Sequence, residues 1–207
     1  MACGSAEPTG PGDPGTPATA TYRVTFEAAW SAGTHPTSFP PNAHFSGLIG
    51  GTHSDAAVLW APGGLASAGI KNMAETGSKT ALTDEVSAAI QAGAAGSLLS
   101  GSGVNPAPGT VSLTFEAHED FPLVSLVSMI APSPDWFVGV HGLDLMQSGE
   151  WVESVTVELL PYDAGTDSGT IYTSPNSVTT PPATIQRLTG SPFDMNVPLG
   201  TFTFVRQ

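Results

Sequence analysis

The chain has 207 residues, of which 40% are hydrophobic, so one domain with a sizeable core is expected. It carries 18 acidic residues against 5 lysines and arginines, a formal net charge of −13, which disfavours nucleic acid and anionic lipid because both attract basic surfaces. An acidic chain suits contact with cations or solubility in salt. No apolar run of about 20 residues is present to span a membrane.

Residues 1–20 differ in composition from the remainder of the chain, because they are rich in Pro, Gly, Thr and Ala. Such a segment cannot bury enough apolar surface to fold, so a disordered tether is predicted. It contains Cys3, the only cysteine, which excludes an intrachain disulfide. A lone cysteine among small residues resembles the mature end of a bacterial lipoprotein. That resemblance implies a lipid anchor at Cys3 and a cell-surface or extracellular location, whereas the alternative is an incidental cysteine.

Several segments have the alternating pattern of a strand with one buried face. The first is Tyr22–Trp30, and Thr110–His118 repeats its pattern. Leu123–Ile130 is nearly all apolar, which predicts a central strand buried on both sides. The further predicted strands are Ala57–Trp60, Trp136–Leu145, Trp151–Leu160, Thr170–Thr173 and Thr201–Val205.

Two helices are predicted between the strands at Ala57–Trp60 and Thr110–His118. Leu65–Glu75 ends before Gly77, a residue suited to the position after a helix, and Thr83–Gln91 begins with Thr83 as N-cap. Gly93–Gly109 is predicted to be a loop. About eight strands with a small helical insertion over residues 65–92 predict an all-β fold, an antiparallel β-sandwich formed by residues 21–207.

Two acidic loops adjoin predicted strands. Asp163 and Asp167 lie four residues apart on a loop that also contains Gly165 and Gly169, and Asp135 lies about thirty residues upstream. Hard cations such as Ca²⁺ prefer several oxygen ligands from a loop that can curl around them. An EF-hand is excluded, because Gly165 and Ser174 occupy positions where acidic ligands would be needed. The alternative is that these aspartates form Asx turns that cap solvent-exposed loops.

Four blocks of sequence resemble the spondin domain family, and the resemblance as a whole runs from about Tyr22 to the end of the chain. The blocks are WSAGTHPTSFPPNAHFSGLIGGTH (30–53), LASAGIKNMAETG (65–77), SPDWFVGVHGLDL (133–145) and WVESVTVELLPYDAGTDSG (151–169). Their order and spacing make the resemblance specific.

The resemblance implies a β-sandwich with a Ca²⁺ ion at one end, held by Asp135, Asp163 and Asp167. It also implies a secreted or cell-surface domain that acts in adhesion or surface recognition. Because the sequence contains no assembled catalytic motif, the chain is not expected to be an enzyme. The partner would be a surface protein or a glycan. The alternative is a calcium-stabilised carbohydrate-binding module or an accessory domain of a secreted hydrolase.

Other chemistry-bearing residues favour structural roles. The spacing of the histidines matches no helical zinc signature, so they are expected to be hydrogen-bonded structural residues: His35, His44, His53, His118 and His141. The glycine-flanked serines lack the elbow of a serine hydrolase. Glu116, Glu119 and Asp120 could pair for glycosidic chemistry but are more typical of a solvated strand end.

Overall fold

A computed structural model describes residues 18–194 and 197–207. Residues 1–17 of the predicted tether, which include Cys3, lie outside the described residues. The strands are β1 (Thr19–Ala28), β2 (His44–Phe45), β3 (Ile49–His53), β4 (Ala95–Ser100), β5 (Gly109–His118), β6 (Leu123–Ala131), β7 (Trp136–Asp144), β8 (Met146–Gln147), β9 (Glu150–Trp151), β10 (Ser154–Leu159), β11 (Tyr162–Asp163), β12 (Gln186–Arg187) and β13 (Gly200–Arg206). The helices are α1 (Ala68–Thr76) and α2 (Thr80–Gln91).

The strands form two antiparallel sheets and one small hairpin. The first sheet has the order β10-β13-β1-β5. The second has the order β12-β11-β7-β6-β3-β4, with β2 added to β6, and β8 pairs with β9. Apolar residues of both sheets form one core cluster, so the fold is the predicted all-β sandwich.

The first sheet follows its alternating sequence. Tyr22, Val24 and Phe26 of β1 are fully buried, whereas the residues between them are exposed or half-buried. They pack with Phe202 and Phe204 of β13 against the second sheet. Residues on one face of a strand are two positions apart, so this face could be read directly from the sequence.

The second sheet is buried on both faces. Leu126 and Ile130 of β6 belong to the core between the sheets, while Val127 and Met129 belong to a second core under the helices. That second core receives Ile70 and other apolar residues of α1 and α2. The nearly continuous apolar sequence of β6 results from this two-sided burial.

The helices are held at their ends by side chains. Ser67 caps α1 by accepting from the Ile70 amide at 3.1 Å, and Glu85 of α2 accepts from the Gly69 amide and the Ser67 hydroxyl, both at 2.7 Å. Gly77 adopts a left-handed φ of 70° after α1, as predicted. The prediction of Thr83 as an N-cap was wrong, because α2 already begins at Thr80.

Four further segments differ from the predictions. β3 and β4 were missed because glycine-rich sequence lowers strand propensity, although both pair in the second sheet. The segment 57–60 is not a strand, and its Trp60 instead donates its indole N–H to the Val140 carbonyl at 3.1 Å. The segment 170–173 forms a turn in which Ser174 accepts from two backbone amides.

Within the described part of the chain, neither helix is long and apolar enough to cross a bilayer.

Gly50 provides a test of how closely β3 approaches β6. A Cβ atom added at Gly50 would lie 2.0 Å from the Ser125 carbonyl oxygen, so the backbones would have to separate. We expect Gly50→Ala to lower the free energy of unfolding by about 2 kcal/mol or more, as overpacked cores do. Urea denaturation measures this loss. Gly33→Ala is the control, because its added methyl would meet nothing nearer than 3.7 Å and should change stability by less than about 0.5 kcal/mol. Equal stability of the two variants would contradict the close approach.

Candidate metal centre

The two acidic loops meet where β7 and β11 pair. Asp135 immediately precedes β7, Asp163 is the last residue of β11, and Trp136 lies directly opposite Asp163 in the antiparallel register. The Ala164 amide donates to the Asp135 backbone carbonyl at 3.1 Å. Pairing of these strand ends therefore places Asp135 beside the start of the loop that contains Asp167.

The carboxylate of Asp135 fastens this loop to the sandwich. Asp135 is 0% exposed, and its Oδ2 atom accepts from the Thr166 amide (2.7 Å), the Asp167 amide (3.0 Å) and the Thr166 hydroxyl (3.2 Å). Its Oδ1 atom is also buried, and no donor among residues 18–194 and 197–207 reaches it. A buried acceptor without a partner is costly, so this oxygen is suited to a cation.

The other two aspartates each form an Asx turn with a glycine. Oδ1 of Asp163 accepts from the Gly165 amide, and Oδ1 of Asp167 accepts from the Gly169 amide, both at 2.7 Å. The alternative interpretation of the sequence, a pair of Asx turns, therefore describes the local conformation. Asp167 is nevertheless only 4% exposed, and its Oδ2 atom accepts from the Ser177 amide at 2.8 Å, so the second turn is not a solvent-exposed cap.

Gly165 gives the loop its sharp bend. Its φ is 75°, in the left-handed region, and a Cβ atom there would lie 2.3 Å from the Ala183 carbonyl oxygen. The Ala183 amide in turn donates to the Gly165 carbonyl at 2.9 Å. A glycine is required here both for its conformation and for the close approach of the returning chain.

Burial and mutual repulsion shift the acidities of two of these groups. Burial, and then the neighbouring Asp163 carboxylate, raise the pKa of Asp135 to about 6, although its three hydrogen bonds oppose the shift. Burial also raises the pKa of Asp163, as does the charge of Asp167, whereas the Gly165 amide and the Trp136 side chain lower it. The three carboxylates therefore lie close enough for two of them to respond to a neighbouring charge.

The side chains do not form a complete coordination shell by themselves. In the described residues, no group of three or more His, Cys, Asp or Glu side chains is arranged to hold a metal ion. A carboxylate oxygen that accepts one hydrogen bond still has a second lone pair, so Asp163 and Asp167 can contribute while their turns persist. The donors are oxygens only, which fits a hard cation.

The remaining candidates have structural surroundings. His35 is 1% exposed and its Nε2 atom lies 3.2 Å from the Val197 carbonyl oxygen. His53 is 3% exposed and lies between the Ser54 carbonyl (2.8 Å) and the Ser125 hydroxyl (2.9 Å). The three acidic residues considered for glycosidic chemistry lie at or just after the end of β5 and are exposed, which is typical of a solvated strand end: Glu116, Glu119 and Asp120.

Sequence reasoning missed two residues that shape the centre. Thr166 supplies two of the three donors to Asp135, and Ser177 supplies one to Asp167. The repeated Asp-x-Gly pattern, at 163–165 and 167–169, was a signal for the turns. No local pattern indicated Ser177, because its amide comes from the returning half of the loop.

Comparison with protein families matches residues 20–199 to the Spondin_N family. The chain belongs to the spondin family. It is 39% identical over 176 residues to Spondin-2 of Rattus norvegicus, covering 83% of this chain and 53% of the relative. It is 43% identical over 180 residues to Spondin-1 of Mus musculus, covering 83% of this chain and 22% of the relative. The chain thus spans about half of Spondin-2 and about a fifth of Spondin-1, and the shared part includes the loops of Asp135, Asp163 and Asp167.

The raised pKa of Asp135 predicts a specific pH dependence without metal. Because the folded protein binds this proton more tightly than the unfolded chain, the contribution to stability is full below about pH 4 and is lost as the pH rises to about 6. A shift from 3.8 to about 6 corresponds to about 3 kcal/mol. In chelator, Asp135→Asn should therefore be more stable than wild type by up to that amount at pH 7.5 and similar to it at pH 4.

Urea denaturation of both proteins at the two pH values measures this difference. Taking the difference between the proteins removes the titration of groups that they share. An Asp135→Asn variant that is less stable than wild type at pH 7.5 in chelator would show that the ionised carboxylate itself stabilises the loop.

Proposed function

We propose that this spondin domain binds one calcium ion through Asp135, Asp163 and Asp167, and that it acts outside the cell in adhesion or surface recognition. The observation that carries the proposal is the Oδ1 atom of Asp135, which is buried and has no donor among the described residues. Its carboxylate lies near that of Asp163, which in turn lies near that of Asp167. A divalent cation would give that oxygen a partner, and it would also reduce the electrostatic repulsion among the three carboxylates.

Calcium fits the centre better than zinc or magnesium. Zinc favours nitrogen and sulfur ligands, whereas the residues that converge here offer oxygens. Magnesium demands near-ideal octahedral geometry at short distances, and calcium accepts six to eight oxygens in a flexible arrangement. Three carboxylates on two backbone segments, supplemented by carbonyls and water, suit the more tolerant ion.

The ion would order a long surface segment. Residues 164–185 leave β11 and return to β12, and the Asp135 carboxylate attaches them to the beginning of β7. Without a cation, repulsion among the carboxylates opposes that attachment, and with a cation it favours it. Calcium would thereby hold this end of the sandwich in one shape for a partner.

Membership of the spondin family supports a domain of recognition and not of catalysis. The extracellular location, the role in adhesion and the partner, a surface protein or a glycan, are proposals here, since the chain covers only part of Spondin-1 and Spondin-2. The lipid anchor at Cys3 also stays a prediction.

A groove beside the centre favours glycan as a second candidate partner. It has a volume of about 330 Å³ and is lined by carboxylate, hydroxyl and amide side chains, including Glu75, Ser174, Asn176 and Asp167. Polar groups in a concave site fix the orientation of a ligand, and the hydroxyls of a sugar can pair with carboxylate, hydroxyl and amide side chains. Glycan-array binding that requires calcium would favour this partner, and binding to protein ligands alone would exclude it.

Calcium should stabilise the wild type through mass action. At a hundredfold excess over Kd the gain is about 2.7 kcal/mol, which for a domain of this size raises Tm by about 5 to 10 °C. Asp163→Ala should lose this response. Differential scanning calorimetry in calcium and in chelator measures it.

Glu119→Ala is the matched control, because it removes an equal charge from an exposed position outside the cluster. It should respond to calcium as the wild type does. A wild-type Tm that is the same in calcium and in chelator would contradict the proposed function.

A further inference from the structure

Trp136 has a buried polar group that packing alone does not explain. Its side chain is 2% exposed, and its indole Nε1 atom makes no hydrogen bond within residues 18–194 and 197–207. Leaving such a donor buried and unpaired is unfavourable. In contrast, the similarly buried Trp60 donates its indole N–H to the Val140 carbonyl. Phenylalanine would fill an apolar site at Trp136 without this cost.

The register places this indole beside Asp163. Trp136 and Asp163 are directly opposite each other across β7 and β11. Side chains of such a pair extend from the same face, with Cβ atoms about 4.5–5.5 Å apart. The buried, unpaired indole N–H and the Asp163 carboxylate therefore belong to side chains on one face of the strand pair.

Of the two side chains, the indole is the fixed partner. Its ring packs edge-on against Tyr172 and Phe193, with centroids 5.5 and 5.3 Å away. Its backbone amide donates to the Ser133 hydroxyl at 3.1 Å. One oxygen of the Asp163 carboxylate accepts from the Gly165 amide at 2.7 Å, and the side chain is only half-buried. The carboxylate is therefore the partner that can adjust.

We propose that Trp136 is a positioning residue of the calcium centre, which donates its indole N–H to the Asp163 carboxylate and so sets the direction in which that ligand faces the ion. The inference rests on the proposed function. Groups that orient a metal ligand change metal affinity by roughly 10- to 100-fold when they are removed. Trp136 directly follows Asp135 in the chain and lies opposite Asp163, so its indole would be beside the ion.

The first experiment tests the contact without metal. The indole N–H resonance of Trp136, assigned by its loss in Trp136→Phe, is followed by NMR in chelator. Asp163→Asn should shift this resonance, because the acceptor loses its charge, whereas Glu119→Ala should leave it unchanged. An indole resonance that ignores Asp163→Asn would overturn the inference even if calcium binds.

The second experiment tests the consequence for the ion. Trp136→Phe should bind calcium roughly 10- to 100-fold more weakly than wild type, as measured by calorimetric titration. Trp30→Phe is the matched control, because it removes another buried indole without a hydrogen bond, from the same aromatic cluster, and should keep the wild-type Kd. Terbium emission excited through indole should fall in Trp136→Phe and persist in Trp151→Phe.

The outcomes separate the two proposals. Calcium binding that is equal in wild type and Trp136→Phe overturns the positioning role and leaves the proposed function intact. No calcium or terbium binding to the wild type overturns both, whatever the NMR experiment shows. Weaker binding in Trp30→Phe as well, by the same factor, would mean that general packing and not the Asp163 contact is responsible, which also overturns the positioning role.

Discussion

The attachment of the Asp135 carboxylate to the amides of Thr166 and Asp167 is the interaction on which this end of the molecule depends. It joins the beginning of β7 to a loop that begins some thirty residues later, and it lies entirely in the interior. The attachment uses one oxygen and leaves the other without a donor in the described structure. A buried carboxylate in this state is stable only with a proton or a cation, so the geometry couples the loop to the solution around it.

The rigidity of the sandwich makes this coupling effective. β6 and β7 are packed on one side against the first sheet and on the other against α1 and α2. Glu85 ties the two helices together at the start of α1. Asp135 therefore extends from a strand end that cannot easily move, and it is the 164–185 segment that must adjust to the charge of the cluster.

Much of this fold could be predicted from periodicity, and the exceptions have physical reasons. β1 and β5 alternate because one face of each strand is more buried than the other along its length. β6 is apolar throughout because both of its faces are buried. β3 was missed because Gly50 and Gly51 have no side chains with which to show a pattern, although backbone proximity to β6 requires at least the first of them. α2 begins earlier than predicted because no side-chain cap marks its start.

The candidate centre was only partly accessible from sequence. Strand ends and the Asp-x-Gly repeat indicate three aspartates on loops, and the spondin resemblance relates them to one ion. What no local pattern contains is the tertiary arrangement: the unpaired Oδ1 of Asp135, the two donors of Thr166 and the register that sets Trp136 opposite Asp163. These depend on pairing between segments that are distant in the chain.

The most direct measurement is a crystal structure determined from calcium-containing solution, with a terbium-soaked crystal to locate the site by anomalous scattering. The account predicts one ion within about 2.3–2.6 Å of Asp135 Oδ1, with oxygens of Asp163 and Asp167 in the same shell. An ordered water or a protonated carboxyl at Asp135 Oδ1, with no ion between the aspartates at saturating calcium, would contradict it.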